Sequence, residues 1–233
     1  MDQYRHELKY VISQAQIPLL RTRIDPFMQL DPHVEAGESY TIRSVYFDDY
    51  DDTCYYENEN GTDPREKFRI RIYNHSAERI GLECKRKERG KTLKKSCILT
   101  KQQADALINN GKIAINDQAP LLRKMLLQMQ TRLLHPVTIV EYERIPYISK
   151  YGNVRVTFDK NMSSSGDYYN FFDEFIPKRP IMPPGMQLLE VKFDEFLPDY
   201  IYRALNLGTL QQTSYSKYYL CRRYALKEGY KCL

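Results

Sequence analysis

Eight short stretches of this chain read as β-strands, and on most of them every second residue is charged. Successive side chains on a strand point to opposite faces, so such a stretch has one apolar and one charged side. Glu66 to Asn74, "EKFRIRIYN", sets Phe68, Ile70 and Ile72 against Lys67, Arg69, Arg71 and Tyr73. HELKYVI offers Glu7 and Lys9, IGLECKRKE offers Glu83, Lys85 and Lys87, and TIVEYERIPYIS puts Tyr142 beside Arg144. VRVTFDKN aligns Arg155, Thr157 and Asp159, and QLLEVKFDEF aligns Glu190 and Lys192. In LKKSCILT, Lys94 shares a face with Ser96, although the adjoining Lys95 leaves the parity open. The remaining stretch, YTIRSVYFD, is expected to be a strand on its β-branched and aromatic content.

Helices are expected at SQAQIPLLRTRIDPFM, TKQQADALINNG, PLLRKMLLQMQTRLL and LPDYIYRALNLG, three with a Ser, Thr or Pro start signal and two ending in Gly. "ERGK" reads as a hairpin turn in which Gly90 takes positive φ. The Ser-, Pro- and Gly-rich stretch from Asn161 to Gly185 reads as a long connection. The fold class is therefore α+β, and eight antiparallel strands are enough to close a small barrel surrounded by helices. With no marked linker and no repeat, residues 1–233 are expected to form one domain.

Two geometries suit the charged faces: an open sheet with a solvated basic platform, or a closed one with the charges inside. Cations two residues apart on a strand lie about 6.7 Å apart. At an effective dielectric near 20, each such pair repels by roughly 2.5 kcal/mol. Enclosed, they need a multiply charged anion, and a chain of phosphoryl groups accepts bidentate Arg contacts. Glu7, Glu83 and Glu190 stand two residues from Lys9, Lys85 and Lys192. Glutamates among phosphates call for a divalent cation between them, and oxygen ligands suit Mg²⁺ or Mn²⁺.

Composition narrows the partners. No run approaches the roughly 18 to 20 apolar residues that would span a bilayer, and mean hydropathy is -0.61. MDQYRHELKY has no apolar signal core, and the five cysteines contain no CxxC pair, so a reduced, cytoplasmic location is expected. From Asp31 to Asp63 there are ten acids and one base; from Arg65 to Lys95 there are twelve bases and four acids. The second stretch therefore asks for an anionic partner. His6, His33, His75 and His135 show no ligand spacing.

The motifs ELKY, SVYFDD, KFRIRIY, LECKRK, EYERIPY with VRVTFDKN, LLEVKFDEFLP and SYSKYYL, in this order over nearly the whole chain, resemble the polyphosphate polymerase (VTC-type) branch of the triphosphate tunnel metalloenzymes, the CYTH superfamily. The resemblance implies an eight-stranded antiparallel tunnel that binds triphosphate or polyphosphate with a divalent metal. It implies that Lys9, Arg69, Arg71, Lys85, Lys94, Arg144, Arg155 and Lys217 bind phosphate and that Glu190 is the principal metal ligand. Lys67, Tyr142 and Lys192 join the substrate-binding set, and Glu7 and Glu83 the metal set. Three departures stand out: Arg5 replaces the first acid of the usual Glu-x-Glu-x-Lys, Ser96 replaces a common base, and the segment before the RIR strand, CYYENENGTDPREK, matches poorly, leaving Arg65 and Lys67 as further contributors the resemblance only suggests.

The leading expectation is a metal-dependent polymerase that moves the γ-phosphoryl group of ATP, or another nucleoside triphosphate, onto inorganic polyphosphate, with Lys9, Arg69, Arg71, Arg144 and Arg155 carrying the chemistry. A tunnel triphosphatase and a non-enzymatic polyphosphate or RNA module are the alternatives. No specific nucleic acid and no transmembrane segment are expected, and a membrane-anchored partner is left open. Replacing Arg69 and Arg71 is expected to relieve repulsion and leave the ligand-free fold equally or more stable.

Overall fold

The structure, a computed structural model, describes residues 4–34, 38–115 and 118–227. The described strands are β1 (His6–Ser13), β2 (Gln29–Leu30), β3 (Tyr40–Asp48), β4 (Arg65–Tyr73), β5 (Ser76–Glu88), β6 (Lys91–Leu99), β7 (His135–Ser149), β8 (Val154–Ser165), β9 (Arg179–Pro180) and β10 (Met186–Phe193). Helices are α1 (Gln16–Ile24), α2 (Thr53–Glu59), α3 (Lys101–Ile108), α4 (Pro120–Thr131), α5 (Asp199–Ala204) and α6 (Lys217–Lys227). Eight strands form one curled antiparallel sheet in the order β1-β10-β8-β7-β3-β4-β5-β6, with β2 added beside β7 and β9 beside β8.

The local signals act where expected. Thr100 caps α3: its hydroxyl accepts from the Gln103 N–H at 3.1 Å, and the Gln103 side chain accepts from the Thr100 N–H at 2.9 Å. Pro120 occupies the first turn of α4. Arg89 and Gly90 both take positive φ, 49° and 75°, as the two-residue hairpin between β5 and β6 requires.

Closure is thinner than a complete barrel. Among the described residues, the first and last strands in the order, β1 and β6, are joined by one bridge, between Arg5 just before β1 and Thr92, with reciprocal backbone hydrogen bonds of 3.0 and 3.1 Å. Side chains extend that seam: Lys85 Nζ reaches Glu7 at 2.7 Å, and the Tyr4 hydroxyl donates to Glu88 at 3.0 Å.

The outer faces bury the apolar parity. Ile70, Ile72 and Leu82 pack with Ala104, Leu107 and Met125 of α3 and α4. Tyr10, Ile12 and Val191 pack with Leu20, Ile24 and Ile201 of α1 and α5. A third cluster, with Ile42, Val140 and Leu188, lies on the inner parity and receives Tyr218 and Cys221 from α6. One end of the inner face is thus apolar and covered by a helix. Also outside the tunnel, fully buried Arg43 pairs with Glu141 and holds the backbone carbonyls of Phe171, Asp173 and Glu174.

Two helices and two short strands, β2 and β9, differ from the sequence expectation. Residues 53–59, TCYYENE, are helical because Asp48 accepts the N–H groups of Cys54 and Tyr55 at 2.8 and 3.1 Å, while Asp49 accepts that of Thr53 at 2.9 Å. Tyr-rich α6 is helical against the inner sheet face, where the Tyr218 hydroxyl donates to Asp48. Inside the expected connection, β8 runs on to Ser165 and β9 pairs with it at Ser163 and Ser164.

Candidate active site

The inner face gathers the charged parity into three groups, each built round buried carboxylate. In the first, Glu83 of β5 faces β4. Arg69 binds it through Nε at 2.7 Å and Nη2 at 2.6 Å, and Lys94 from β6 at 3.3 Å. Arg71 lies 3.9 Å away and donates to Ser44 Oγ at 3.1 Å and the Tyr142 hydroxyl at 3.3 Å. Burial alone would raise the Glu83 pKa, but Arg69, Arg71 and Lys94 hold it far below the usual carboxylate range.

The second group joins β1 and β10, where Lys9 stands directly across from Glu190 and Glu7 from Lys192. Lys9 Nζ is 3.1 Å from Glu7, 3.8 Å from Glu190 and 2.8 Å from the Tyr215 carbonyl. Lys192 lies 3.5 Å from Glu190. The third group is set by Asp159, fully buried on β8. Arg144 grips both its oxygens at 2.7 and 2.8 Å and reaches Glu190 at 3.2 Å. Lys217, at the start of α6, binds Asp159 at 2.7 Å and sits 4.7 Å over the Tyr142 ring.

Thus Lys9, Arg69, Arg71, Lys85, Tyr142, Arg144, Lys192 and Lys217 share the tunnel interior with Glu7, Glu83 and Glu190. Lys94 is at its rim, its side chain 53% exposed. Arg155 is peripheral, tied to Asp31 at 2.8 Å and the Tyr40 hydroxyl at 3.0 Å. Lys67 donates to Asn58 of α2 at 2.8 Å and lies 4.7 Å over the Tyr218 ring. Arg5, where an acid was usual, turns to Asp194 at 2.8 Å.

The proposed metal set does not gather as one. Glu7 and Glu190 both flank Lys9, whose Nζ lies 3.1 and 3.8 Å from them, whereas Glu83 is occupied by Arg69 and Lys94. No group of three or more His, Cys, Asp or Glu side chains arranged for a metal occurs among the described residues. Two converging carboxylates nevertheless fit Mg²⁺ or Mn²⁺, which take one or two and complete their shell with phosphate oxygen and water. Glu190 and Glu7 are the residues that would hold it.

Sequence reading left the inner face of β3 unassigned. Tyr46, whose hydroxyl accepts from Arg69 at 2.8 Å, Ser44 and Tyr40 all serve the cations from it. The signal was present, because Tyr40, Ser44 and Tyr46 alternate with buried Val45 and Phe47. Asp31 and Asn58 carry no such signal, since loop and helix place them.

Burial and neighbouring cations push two lysines down. Lys67 is lowered to about 7, by burial first and then by Arg65, Lys85 and Lys9. Lys85 is lowered to about 8, mainly by burial, with Glu7 opposing. Between those values and the ordinary 10.5, the unfolded chain holds more protons than the folded one. These lysines therefore add stability to the ligand-free protein as pH rises through that window, and the contribution disappears as pH falls through 7. Anion affinity runs the other way. Titrating tripolyphosphate at pH 6.5 and 9 is expected to show weaker binding and greater proton uptake at the higher pH. Equal affinity and no proton uptake would contradict it.

The VTC domain family matches residues 4–226. The chain belongs to the VTC-domain family. Solved structures share the fold of this VTC domain. A putative adenylyl cyclase from Hippeastrum, described as having a dominant triphosphatase activity, aligns with a TM-score of 0.56 at 12% identity, covering 96% of both chains. A putative adenylate cyclase from Bacillus halodurans aligns with a TM-score of 0.52 at 15% identity, covering 92% of this chain and 95% of its own. At such identity the likeness is one of fold alone. A sequence search among curated proteins found no match. No helix among the described residues is long and apolar enough to cross a membrane.

Proposed function

We propose that this VTC domain is a metal-dependent polyphosphate polymerase that transfers the γ-phosphoryl group of ATP, or another nucleoside triphosphate, to inorganic polyphosphate. One observation carries the reading: on the inner face seven cations (Lys9, Arg69, Arg71, Lys85, Arg144, Lys192 and Lys217) meet four carboxylates (Glu7, Glu83, Asp159 and Glu190), and those carboxylates are already paired. A string of phosphoryl groups supplies the missing negative charge in the spacing that Arg and Lys on adjacent strands present.

Phosphoryl transfer depends on alignment and charge stabilisation more than on a protein nucleophile. A terminal oxygen of the acceptor chain attacks the γ-phosphorus, the bond from that phosphorus to the β–γ bridging oxygen breaks, and the nucleoside diphosphate leaves with the electron pair. Arg69 and Arg71 on one wall, and Arg144 with Lys9 on the other, hold the reacting phosphates in line. Tyr46 and Tyr142 fix the guanidinium groups before substrate arrives, so little reorganisation remains for the transfer step. Arg155 receives the phosphate nearest the rim. Mg²⁺ or Mn²⁺ at Glu190 and Glu7 would supply charge neutralisation on the phosphate oxygens.

Hydrolysis, with water replacing the phosphate acceptor, is the second reading, favoured by the triphosphatase activity named for the Hippeastrum protein of the same fold. Incubating the purified protein with ATP and Mn²⁺ separates the two. Long-chain polyphosphate with ADP is the expected product. Free phosphate or pyrophosphate as the sole product would replace polymerase by hydrolase, and no consumption of ATP would remove both.

A further inference from the structure

One surface outside the tunnel is built of exposed aromatic side chains. Pro26, Phe27, Tyr151, Phe196, Pro198 and Tyr200 line a shallow cleft of about 620 Å³. Its four aromatic residues are 41% to 75% exposed, an apolar patch of the kind that marks a docking site. Backbone holds the walls in place. The Gly152 carbonyl accepts from the Asp194 N–H at 3.3 Å, and at φ +69° a Cβ on residue 152 would stand 2.8 Å from the Phe196 carbonyl oxygen. Phe27 and Tyr200 meet edge to face at 5.4 Å. The cleft is therefore formed before anything fills it.

The same chain carries a segment of matching chemistry. Residues 177–184, PKRPIMPP, set Pro177, Pro180 and Pro183 three apart. A polyproline II strand has three residues per turn, so these rings fall on one side of it. Proline fixes its own φ and pushes the residue before it to extended backbone. Buried Ile176 and Ile181 fasten the segment to the core, while all four of its prolines are exposed. β9 pairs with β8 along one edge, and its other edge has no strand partner among the described residues. Folding has thus already ordered the segment for binding. Charge agrees: residues 177–184 hold Lys178 and Arg179 and no acid, whereas the cleft stretches 25–27, 150–152 and 194–200 hold four acids and one base. Asp194 and Asp199 keep Arg5 and Arg203, Lys178 keeps Glu141, and Arg179 lies over the Tyr224 ring. The rings are left to make the contact, and the net charges to orient it.

Within one molecule the two cannot meet. Tyr151 precedes β8, whereas β9 pairs with Ser163 and Ser164 near its far end. Nine residues of strand separate Val154 from Ser163, which is about 30 Å. We propose that the cleft receives the Pro177–Pro184 segment of a second copy of this chain in a head-to-tail contact. Aromatic-lined grooves take proline-rich strands by the same apposition of rings. Because two different patches meet, each contact leaves one cleft and one segment open, and copies join into a ring or an open row. The tunnel takes no part in it.

Sedimentation velocity over about 10–500 μM, where small interfaces associate, tests the contact. The wild-type mass is expected to rise with concentration above the 27.7 kDa of one chain. Tyr151→Ser/Phe196→Ser strips the cleft, and Pro177→Glu puts an acid into the segment at an exposed position outside β9. Each variant alone is expected to stay monomeric. Mixed in equal amounts, each supplies the half the other lacks, and the mixture is expected to form a heterodimer and nothing larger. The replaced side chains are exposed, so melting temperatures are expected to stay within about 3 °C of wild type. Should either variant melt lower, Phe196→Ser alone or Pro180→Ala/Pro183→Ala takes its place in the same mixing experiment. A wild type that stays monomeric, variants that associate as wild type does, or a mixture that remains monomeric would overturn the contact. Cosedimentation of monomeric wild type with phosphatidylcholine/phosphatidylserine vesicles, lost in the cleft variant, would overturn it too and give the cleft to a membrane surface.

Discussion

Replacing Arg69 and Arg71 together by Ala is expected to abolish tripolyphosphate binding and also to destabilise the ligand-free protein, by about 3–5 kcal/mol for the broken buried pair. Sequence parity alone leads to the opposite expectation for stability, because two cations on one strand face repel. The fold reverses the sign by placing Glu83, 5% exposed, against both arginines. Without them the carboxylate keeps only Lys94, whose own side chain is half in water. A compensating change follows from the same geometry. Adding Glu83→Gln is expected to recover most of the lost melting temperature and none of the binding. Denaturant unfolding of the double and triple variants, with and without tripolyphosphate, reads both quantities. A double variant as stable as wild type would show that the Glu83 pairing contributes nothing net.

Glu190→Gln is expected to lower metal-dependent turnover of ATP by at least about a hundredfold, the scale on which a group stabilising transition-state charge acts. The amide keeps the shape of the side chain and its place among Lys9, Arg144 and Lys192 but loses the charge that would hold a divalent ion. Binding and turnover are therefore expected to part. In the presence of a chelator the variant should hold tripolyphosphate at least as tightly as wild type, because one negative charge has left the tunnel. Calorimetric titration with and without Mn²⁺ measures the first, and ADP release the second. Unchanged turnover would take Glu190 out of the metal role. Loss of chelator-resistant binding would mean that its carboxylate positions Lys9 and Arg144 instead.

Much of the fold was legible because the strands are amphipathic with a strict period of two. The apolar parity of Ile70, Ile72 and Leu82 on one side, and the charged parity on the other, fixes which face is buried before any pairing is known. The helices α3 and α4 announce themselves through Thr100 and Pro120. By contrast, residues 53–59 and 217–227 are rich in tyrosine and mark no helix. Asp48 accepts two N–H groups at the start of α2 and anchors α6 through the hydroxyl of Tyr218. A contact between residue 48 and residue 218 leaves no trace in any local window.

The charges divide in the same way. Parity alone brought the cations of β1, β4, β5, β7, β8 and β10 to one side, and the acid excess before Asp63 and base excess after Arg65 announced an anionic ligand. Side-chain periodicity is a property of a single strand, so the amino-acid order was sufficient for it. Pairing between strands remote in sequence decided the rest: that Glu83 neutralises Arg69, that Glu7 and Glu190 converge while Glu83 does not, and that Arg65 and Lys87 are left facing each other. Coulomb energy depends on distance in space, and register and curvature of the sheet set those distances.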